Sequence, residues 1–342
     1  MKNSLILKNI NFKADKNNIL NNITLTAKPG EVTAILGPSG SGKSTLIKII
    51  AGLMKANSGK IILGNTNINN LNPSARKIGY VSQNPSLLPY YNIWQNISLG
   101  LHNLSVLQQK RKSLEILKTI GMAKYIESFP NQLSIGQQQK ISIARALISQ
   151  PEILLFDEPY ANLDVINKDN LIRQTLLMLK SSNAIKLLIT HNPHEAMLAS
   201  NYIYVLNKGS IVQSGKINEL YDNPYNEFIA RLFGMTNILP ASVKENYAHT
   251  ILGTHKISNV NHIQQSKKER KLLIRPNQIG ISNKKNSNLI AATITDKRFY
   301  YGQNLYFLSL NNNKSQILKV INSTNYHIND IVYLKILDFH IL

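Results

Sequence analysis

The sequence predicts an α/β domain that carries a helical insertion and is followed by a small all-β, barrel-like domain. Three observations in the 342 residues predict it. Up to about residue 235, short β-branched apolar runs alternate with longer stretches of helical spacing, the pattern of a mostly parallel sheet with helices on its faces. From about Asn84 to Gln150 only helical patterns occur. Beyond Leu239-Pro240 the chain breaks into short apolar runs separated by turns rich in Asn, Gly and Lys. The expected division is residues 1–238, with the helical part at about 84–150, and residues 239–342. Two domains are also what a chain of this length suggests, because single cores stop growing near this size.

Taken in order, Glu31-Val32-Thr33-Ala34-Ile35-Leu36 reads as a buried strand, followed by a Gly-rich turn and a helix around Leu46 to Leu53. In the insertion, Ser105 to Ile120 and Gln137 to Ile148 have helical spacing. Ile153 to Phe156 and Lys186 to Thr190 are further apolar strands, with a helix from Asn170 to Leu179 between them. In the last domain Leu272 to Ile274, Ala291 to Ile294, Leu305 to Leu310 and Ile331 to Leu337 read as strands. The run Lys267-Lys268-Glu269-Arg270-Lys271 reads as a solvated loop.

Composition narrows the function. Hydrophobic residues at 43% supply real cores, which excludes wholesale disorder. Lys+Arg 39 against Asp+Glu 18 leaves a formal net charge of +21, which calls for an anionic partner: a nucleotide, a nucleic acid or an acidic membrane face. The absence of Cys excludes disulfides, thiolate zinc sites, iron–sulfur clusters and Cys nucleophiles. No stretch approaches the roughly 18 uninterrupted apolar residues of a membrane span. The run Leu5-Ile6-Leu7 is too short for a signal sequence, so a soluble cytoplasmic protein is expected.

Gly37-Pro38-Ser39-Gly40-Ser41-Gly42-Lys43-Ser44-Thr45 fits G-x-x-x-x-G-K-[ST] between a predicted strand and a predicted helix. Gly40 and Gly42 let backbone N–H groups converge on phosphate oxygens, and the helix adds its positive end. Lys43 can reach the β- and γ-phosphates and the Ser44 hydroxyl can ligate Mg²⁺. Binding of a nucleoside triphosphate is expected. His191 and His194 do not suggest a metal pair, because His-Asn-Pro-His on a broken turn is poor ligand geometry.

Leu133-Ser134-Ile135-Gly136-Gln137 precedes Gln138-Gln139-Lys140-Ile141, and Ile153-Leu154-Leu155-Phe156-Asp157-Glu158-Pro159 follows. With these in order after the phosphate loop, the chain closely resembles the nucleotide-binding subunit of an ATP-binding cassette (ABC) transporter over residues 1 to about 240. The resemblance implies ATP and Mg²⁺ as cofactors, with Ser44, Gln83 and Asp157 at the metal. It implies Glu158 as general base for the attacking water, His191 as the switch histidine at the γ-phosphate, and Gln83 as sensor of the metal and water. Asp164, in Asn162-Leu163-Asp164, matches the D-loop. Ser134, Gly136 and Gln137 match the signature that closes over ATP held by another protomer. A head-to-tail dimer of two copies is therefore implied.

Three positions depart from the family pattern. Ile135 stands where the signature usually has Gly, and Lys140 where Arg is usual, which keeps the charge but loses the planar fork. Ala14 stands where an aromatic residue normally stacks on adenine, with Phe12 two residues earlier.

Gly209 to Gly215, Glu219 to Pro224, the Arg275-Pro276 element and the Tyr301-Gly302 turn are similar to importer ATPases with an oligonucleotide-fold-like C-terminal regulatory domain. That layout implies membrane permease partners, a periplasmic or lipoprotein solute-binding protein acting through them, and a peripheral position on the cytoplasmic face of the inner membrane. The stretch Phe228 to Pro240 and the short tail favour ferric iron as cargo, with polyamines, sugars or anions as alternatives. The segment from Gln83 through Tyr90 to Trp94 is expected to dock the permease. A DNA- or ribosome-acting cassette is a different class that +21 would suit. The coiled coils, zinc modules or paired cassettes of such proteins are not found, so no nucleic-acid partner is expected.

Overall fold

The computed structural model describes residues 3–161, 165–257, 269–285, 289–311 and 313–342. Asp164 of the expected D-loop, and Lys267 and Lys268 of the basic run, lie outside the described residues. The chain divides into two compact units, one up to Ile217 and one from Asn218 to Leu342.

The first unit opens with the antiparallel hairpin β1 (Leu5–Ala14) and β2 (Asn17–Ala27), then β3 (Val32–Leu36), α1 (Lys43–Ala51), β4 (Ser58–Leu63), β5 (Thr66–Asn67) and β6 (Ile78–Val81). The insertion supplies α2 (Ile93–Ser98), α3 (Val106–Thr119) and α4 (Ile135–Ile148). The chain then returns through β7 (Ile153–Asp157), α5 (Val165–Leu179), β8 (Ile185–Thr190), α6 (Pro193–Ala199), β9 (Tyr202–Asn207) and β10 (Ser210–Gly215). One sheet has the order β10-β9-β3-β8-β7-β6, all parallel except β10. The other is antiparallel, β2-β1-β4-β5.

Helix α1 contributes Leu46, Ile47, Ile49 and Ile50 to one core with Leu5, Ile10 and Ile23 of the antiparallel sheet and Ile35, Leu155 and Leu187 of the parallel one. A helix apolar on so many sides belongs in an interior. Its last carbonyls need partners there, and the buried Arg76 guanidinium supplies them, donating to Ile49 O at 2.9 Å and Ile50 O at 2.7 Å. The same side chain donates to Asn69 O and Leu71 O.

The insertion has its own core of Ile93, Ile97, Leu117, Leu133, Ile141 and Ala144. Each of its helices starts at a polar N-cap with Gln three residues on: Asn92 with Gln95, Ser105 with Gln108 and Ser134 with Gln137. These reciprocal capping boxes satisfy backbone donors that the first turn leaves over.

The second unit begins with α7 (Ile217–Asp222) and α8 (Glu227–Leu232). Its strands are β11 (Asn237–Lys244), β12 (Tyr247–Thr250), β13 (Gly253–Lys256), β14 (Glu269–Ile274), β15 (Ile279–Ser282), β16 (Ile290–Tyr300), β17 (Gln303–Leu310), β18 (Asn313–Asn322), β19 (Ile331–Ile336) and β20 (His340–Ile341). They form two antiparallel sheets, β13-β12-β11-β14-β20 and β15-β19-β16-β17-β18, around one core that includes Leu239, Leu272, Tyr306, Leu318 and Val332. Part of the basic run expected as a loop is strand: Lys271 lies in β14 and pairs with Glu227 at 2.7 Å.

This unit starts before the boundary expected at residue 239. Buried Arg275 explains why. Its guanidinium donates to Tyr221 O and Ala230 O, both at 2.8 Å, and lies 4.1 Å from the Tyr221 ring centroid. Burial of a charge requires such partners, and they tie the helices of residues 218–232 to the β strands.

Candidate functional site

Strand register assembles the site. Leu36, the last residue of β3, pairs with Thr190 at the end of β8, and Asp157 at the end of β7 pairs with Ile189. The phosphate loop, Asp157-Glu158 and His191 thus leave adjacent parallel strands at their carboxyl ends, where open α/β sheets bind ligands. On the neighbouring β6, Val81 pairs with Phe156, which brings Gln83 to the same edge, with its side chain exposed.

The loop residues have separate physical reasons. A Cβ on Gly37 would come within 2.0 Å of Leu206 O, so only glycine lets the loop pass β9. Gly42 has φ 102, and a Cβ there would meet Leu20 and Ile19 O within 3.0 Å. Lys43 starts α1, and its Nζ donates to Gly37 O and Pro38 O, each at 2.8 Å. Two of its three donors are so used, and one remains for a phosphate oxygen. Burial pushes the Lys43 ammonium below the ordinary lysine value, while the nearby Glu158 and Asp157 charges act in the opposite sense.

Pro38, Ser39, Gly40 and Thr45 complete the loop, and the Ser41 hydroxyl is buried without a hydrogen-bond partner among the described residues. Ser44, exposed in the first turn of α1, and Asp157 offer the hard oxygen donors that Mg²⁺ prefers. The site therefore fits the cation on its donor chemistry.

Glu158 and His191 are in contact: Glu158 Oε2 lies 3.0 Å from His191 Nδ1. Glu158 has φ 47, a left-handed conformation that costs a non-glycine residue about 1–3 kcal/mol and clusters at functional sites. Its N–H donates to Ile189 O at 2.9 Å, which holds that turn. A carboxylate beside an imidazole at the mouth of a phosphate loop can accept a proton from a bound water.

Sequence reasoning missed four residues here. The Tyr80 hydroxyl donates to Asp157 Oδ2 at 2.7 Å, and burial, then that bond, pushes its phenol well above the usual tyrosine range. Arg145 donates to Ser86 O at 2.9 Å and Pro85 O at 3.0 Å, and Gln139 to Ser82 O at 3.3 Å, so α4 holds the segment around Gln83. Buried Glu195 accepts from Lys168 Nζ at 2.8 Å and from the Thr190 hydroxyl at 2.5 Å, next to His191. A charged residue inside an apolar helical pattern, as in Ala144-Arg145-Ala146-Leu147, was the signal available for Arg145.

The signature residues are elsewhere. Ser134 caps α4, its N–H donates to Gln137 Oε1 at 2.9 Å, and Gln137 Nε2 donates to the Tyr125 hydroxyl at 3.2 Å. Gly136 lies in the first turn of α4 and Ile135 is 53% exposed beside it. Ala14 sits exposed at the end of β1 opposite Asn17, whereas Phe12 is half-buried and packs against the α1 core.

A family model described as ABC transporter matches residues 20–161. The Spermidine/putrescine import ATP-binding protein PotA of Fusobacterium nucleatum is 34% identical over 335 residues, covering 93% of this chain and 89% of that protein. The Fe(3+) ions import ATP-binding protein FbpC of Escherichia coli is 34% identical over 248 residues, covering 72% of this chain and 71% of that protein. Among solved structures, a dimeric post-hydrolysis state of the ATP-binding cassette MJ0796 bound to ADP and Pi matches with 30% identity and TM-score 0.56 over 62% of this chain and 98% of that one. The cbiO1 subunit of the Clostridium perfringens ABC transporter complex cbiONQ matches with 28% identity and TM-score 0.60, over 64% and 91%. With relatives aligned along nearly its whole length, and the phosphate loop, Gln83, Asp157-Glu158 and His191 gathered at one sheet edge, the chain belongs to the ABC transporter family, among the import ATP-binding subunits, which hydrolyse ATP to drive transport.

Proposed function

We propose that Glu158 is the general base of ATP hydrolysis, oriented by His191, and that the imported solute is a polyamine. The contact between Glu158 and His191 carries the catalytic reading. His191 Nδ1–H fixes Oε2, leaving the rest of the carboxylate to take a proton from water as the water oxygen bonds to the γ-phosphorus. The bond from that phosphorus to the bridging oxygen breaks, and ADP and inorganic phosphate leave. Lys43 and the loop N–H groups hold the phosphates through this step. Ser44, Asp157 and Gln83 would hold Mg²⁺, which when bound neutralises phosphate charge.

Ser134, Gly136 and Gln137, with Asp164, act on ATP held by a second copy in a head-to-tail dimer. The dimeric state of MJ0796 supports this arrangement. Leu88 and Tyr91 are 43% exposed and Tyr90 is 90% exposed, on the segment that Arg145 anchors beside Gln83. Exposed aromatics of this kind suit an interface anchor, and we assign it to a permease at the inner face of the membrane, in line with cbiO1 being part of a transporter complex. Among the described residues no helix is long and apolar enough to cross a membrane. A solute-binding protein would deliver cargo through the permease.

For the cargo, spermidine/putrescine import proteins of Borreliella afzelii, Fusobacterium nucleatum and Thermotoga maritima align over 86% to 93% of this chain, whereas the ferric-iron relative covers 72%. The polyamine reading therefore takes precedence over the ferric iron expected from the tail. ATP hydrolysis by the chain assembled with its permease and binding protein, in vesicles, should be stimulated by spermidine and not by ferric ion. Stimulation by ferric ion alone restores iron as the cargo.

A further inference from the structure

We propose that Tyr80 is a positioning residue for Asp157, its hydroxyl holding one carboxylate oxygen so that the other is presented to the cation of the bound nucleotide. The placement follows from register. Tyr80 pairs with Leu155 across β6 and β7, and side chains alternate along a strand, so Tyr80, Leu155 and Asp157 share the face against α1. The Tyr80 ring packs on that core. A phenylalanine would complete the same apolar packing, so the hydroxyl is not needed for burial. A half-buried hydroxyl costs free energy unless it is bonded, and this one is bonded to Asp157 Oδ2 at 2.7 Å.

The bond has a consequence at the site. An ionised carboxylate has two oxygens and rotates about a soft terminal torsion. With Oδ2 held by a hydroxyl on a packed ring, Oδ1 has a fixed direction. Without the hydroxyl, the carboxylate loses that fixed direction, which weakens the metal site and leaves the Lys43 contacts to Gly37 and Pro38 in place.

The proposal rests on the assignment of Asp157 to the cation, and the test separates the two. Binding of a fluorescent ATP analogue to the full chain is titrated with Mg²⁺, and Mn²⁺ binding in the presence of nucleotide is followed by electron paramagnetic resonance. The variants are Tyr80→Phe, Tyr80→Met, Asp157→Asn and the double Tyr80→Phe/Asp157→Asn, each with its thermal unfolding midpoint. Hydrogen bonds to charged groups are strong enough that Tyr80→Phe should need about tenfold more Mg²⁺ for half-maximal binding. Tyr80→Met should match it, metal-free nucleotide affinity should change less than twofold, and the double variant should equal Asp157→Asn alone. A merely structural tyrosine would lower the unfolding midpoint and leave the Mg²⁺ requirement within twofold of wild type, which overturns the role of Tyr80. If Asp157→Asn itself leaves the Mg²⁺ requirement unchanged, the metal assignment falls and this proposal with it.

Discussion

Glu195→Ala should be among the most destabilising substitutions in the cassette, although Glu195 lies outside the phosphate loop. The carboxylate is 2% exposed and bonded to Lys168 of α5 and Thr190 of β8. Removing it leaves the Lys168 ammonium, whose side chain is only 15% exposed, without its ion-pair partner. Breaking a buried pair from one side costs about 3–5 kcal/mol. In a unit of this size each kcal/mol moves the midpoint by about 2–4 °C, so thermal unfolding should shift down by roughly 6–20 °C. Circular dichroism on the purified chain reads the shift. Lys168→Met with Glu195→Leu removes both charges, and should recover most of the loss because a well-packed apolar pair replaces a buried ionic one at little cost. The Thr190 hydroxyl also accepts from Asn192 N at 3.0 Å, so the damage in Glu195→Ala should extend to the turn that carries His191. A shift under 3 °C, or a double variant no better than the single one, refutes the reasoning.

Three further outcomes follow from the same geometry. Because burial lowers the Lys43 ammonium below 10.5, ATP affinity should start to fall on the alkaline side before an ordinary lysine would deprotonate. The burial penalty on the charged form is full below the lowered pKa and relieved as pH rises through it, so this group makes the free protein more stable while affinity drops. Lys43→Met should abolish the alkaline limb in a binding titration; an unchanged limb assigns it elsewhere. Ala14→Trp should tighten ATP binding about tenfold, since base stacking is worth about 1–3 kcal/mol, whereas Phe12→Ala should lower the unfolding midpoint without changing affinity; the opposite pairing of effects would return the stacking role to Phe12. Leu88→Glu and Tyr90→Glu should stop transport in the assembled complex and leave nucleotide binding intact, and normal transport by both would remove this segment from the permease interface.

Much of the fold was legible where one local signal decides the outcome. The apolar run Ile153 to Phe156 and the Gly-rich turn into α1 appear where expected, because a strand buried on both faces admits little else. The Asn/Ser-x-x-Gln pattern marks every helix start in the insertion. Glu158 and His191 are separated along the chain, and only the parallel register of β7 and β8 brings them together. Long-range hydrogen bonds left almost no mark, a charge inside the apolar pattern around Arg145 apart. Tyr80 reads as one more strand residue, Arg145 as one more helical cation, and nothing local says that Arg275 will bind carbonyls of α7 and α8. The textural change at residue 239 marks the first strand, while the compact unit begins at Asn218, where the carbonyls of α7 and α8 bind Arg275. The inward turn of Phe12 was not legible, because spacing along β1 does not report the bulges that set which side chains turn inward.

The central claim is that Glu158, held against His191, takes the proton from water. Glu158→Gln keeps the size of the side chain but cannot accept that proton, and leaves the Lys43 contacts to Gly37 and Pro38 untouched. Steady-state ATP hydrolysis with Mg²⁺ is the measurement, taken alongside nucleotide affinity and size-exclusion chromatography of the same sample. The predicted result is a rate lower by about 10²–10⁴-fold, with affinity retained and a closed ATP-bound dimer accumulating. Hydrolysis by Glu158→Gln near the wild-type rate would contradict the claim and place the general base on another residue.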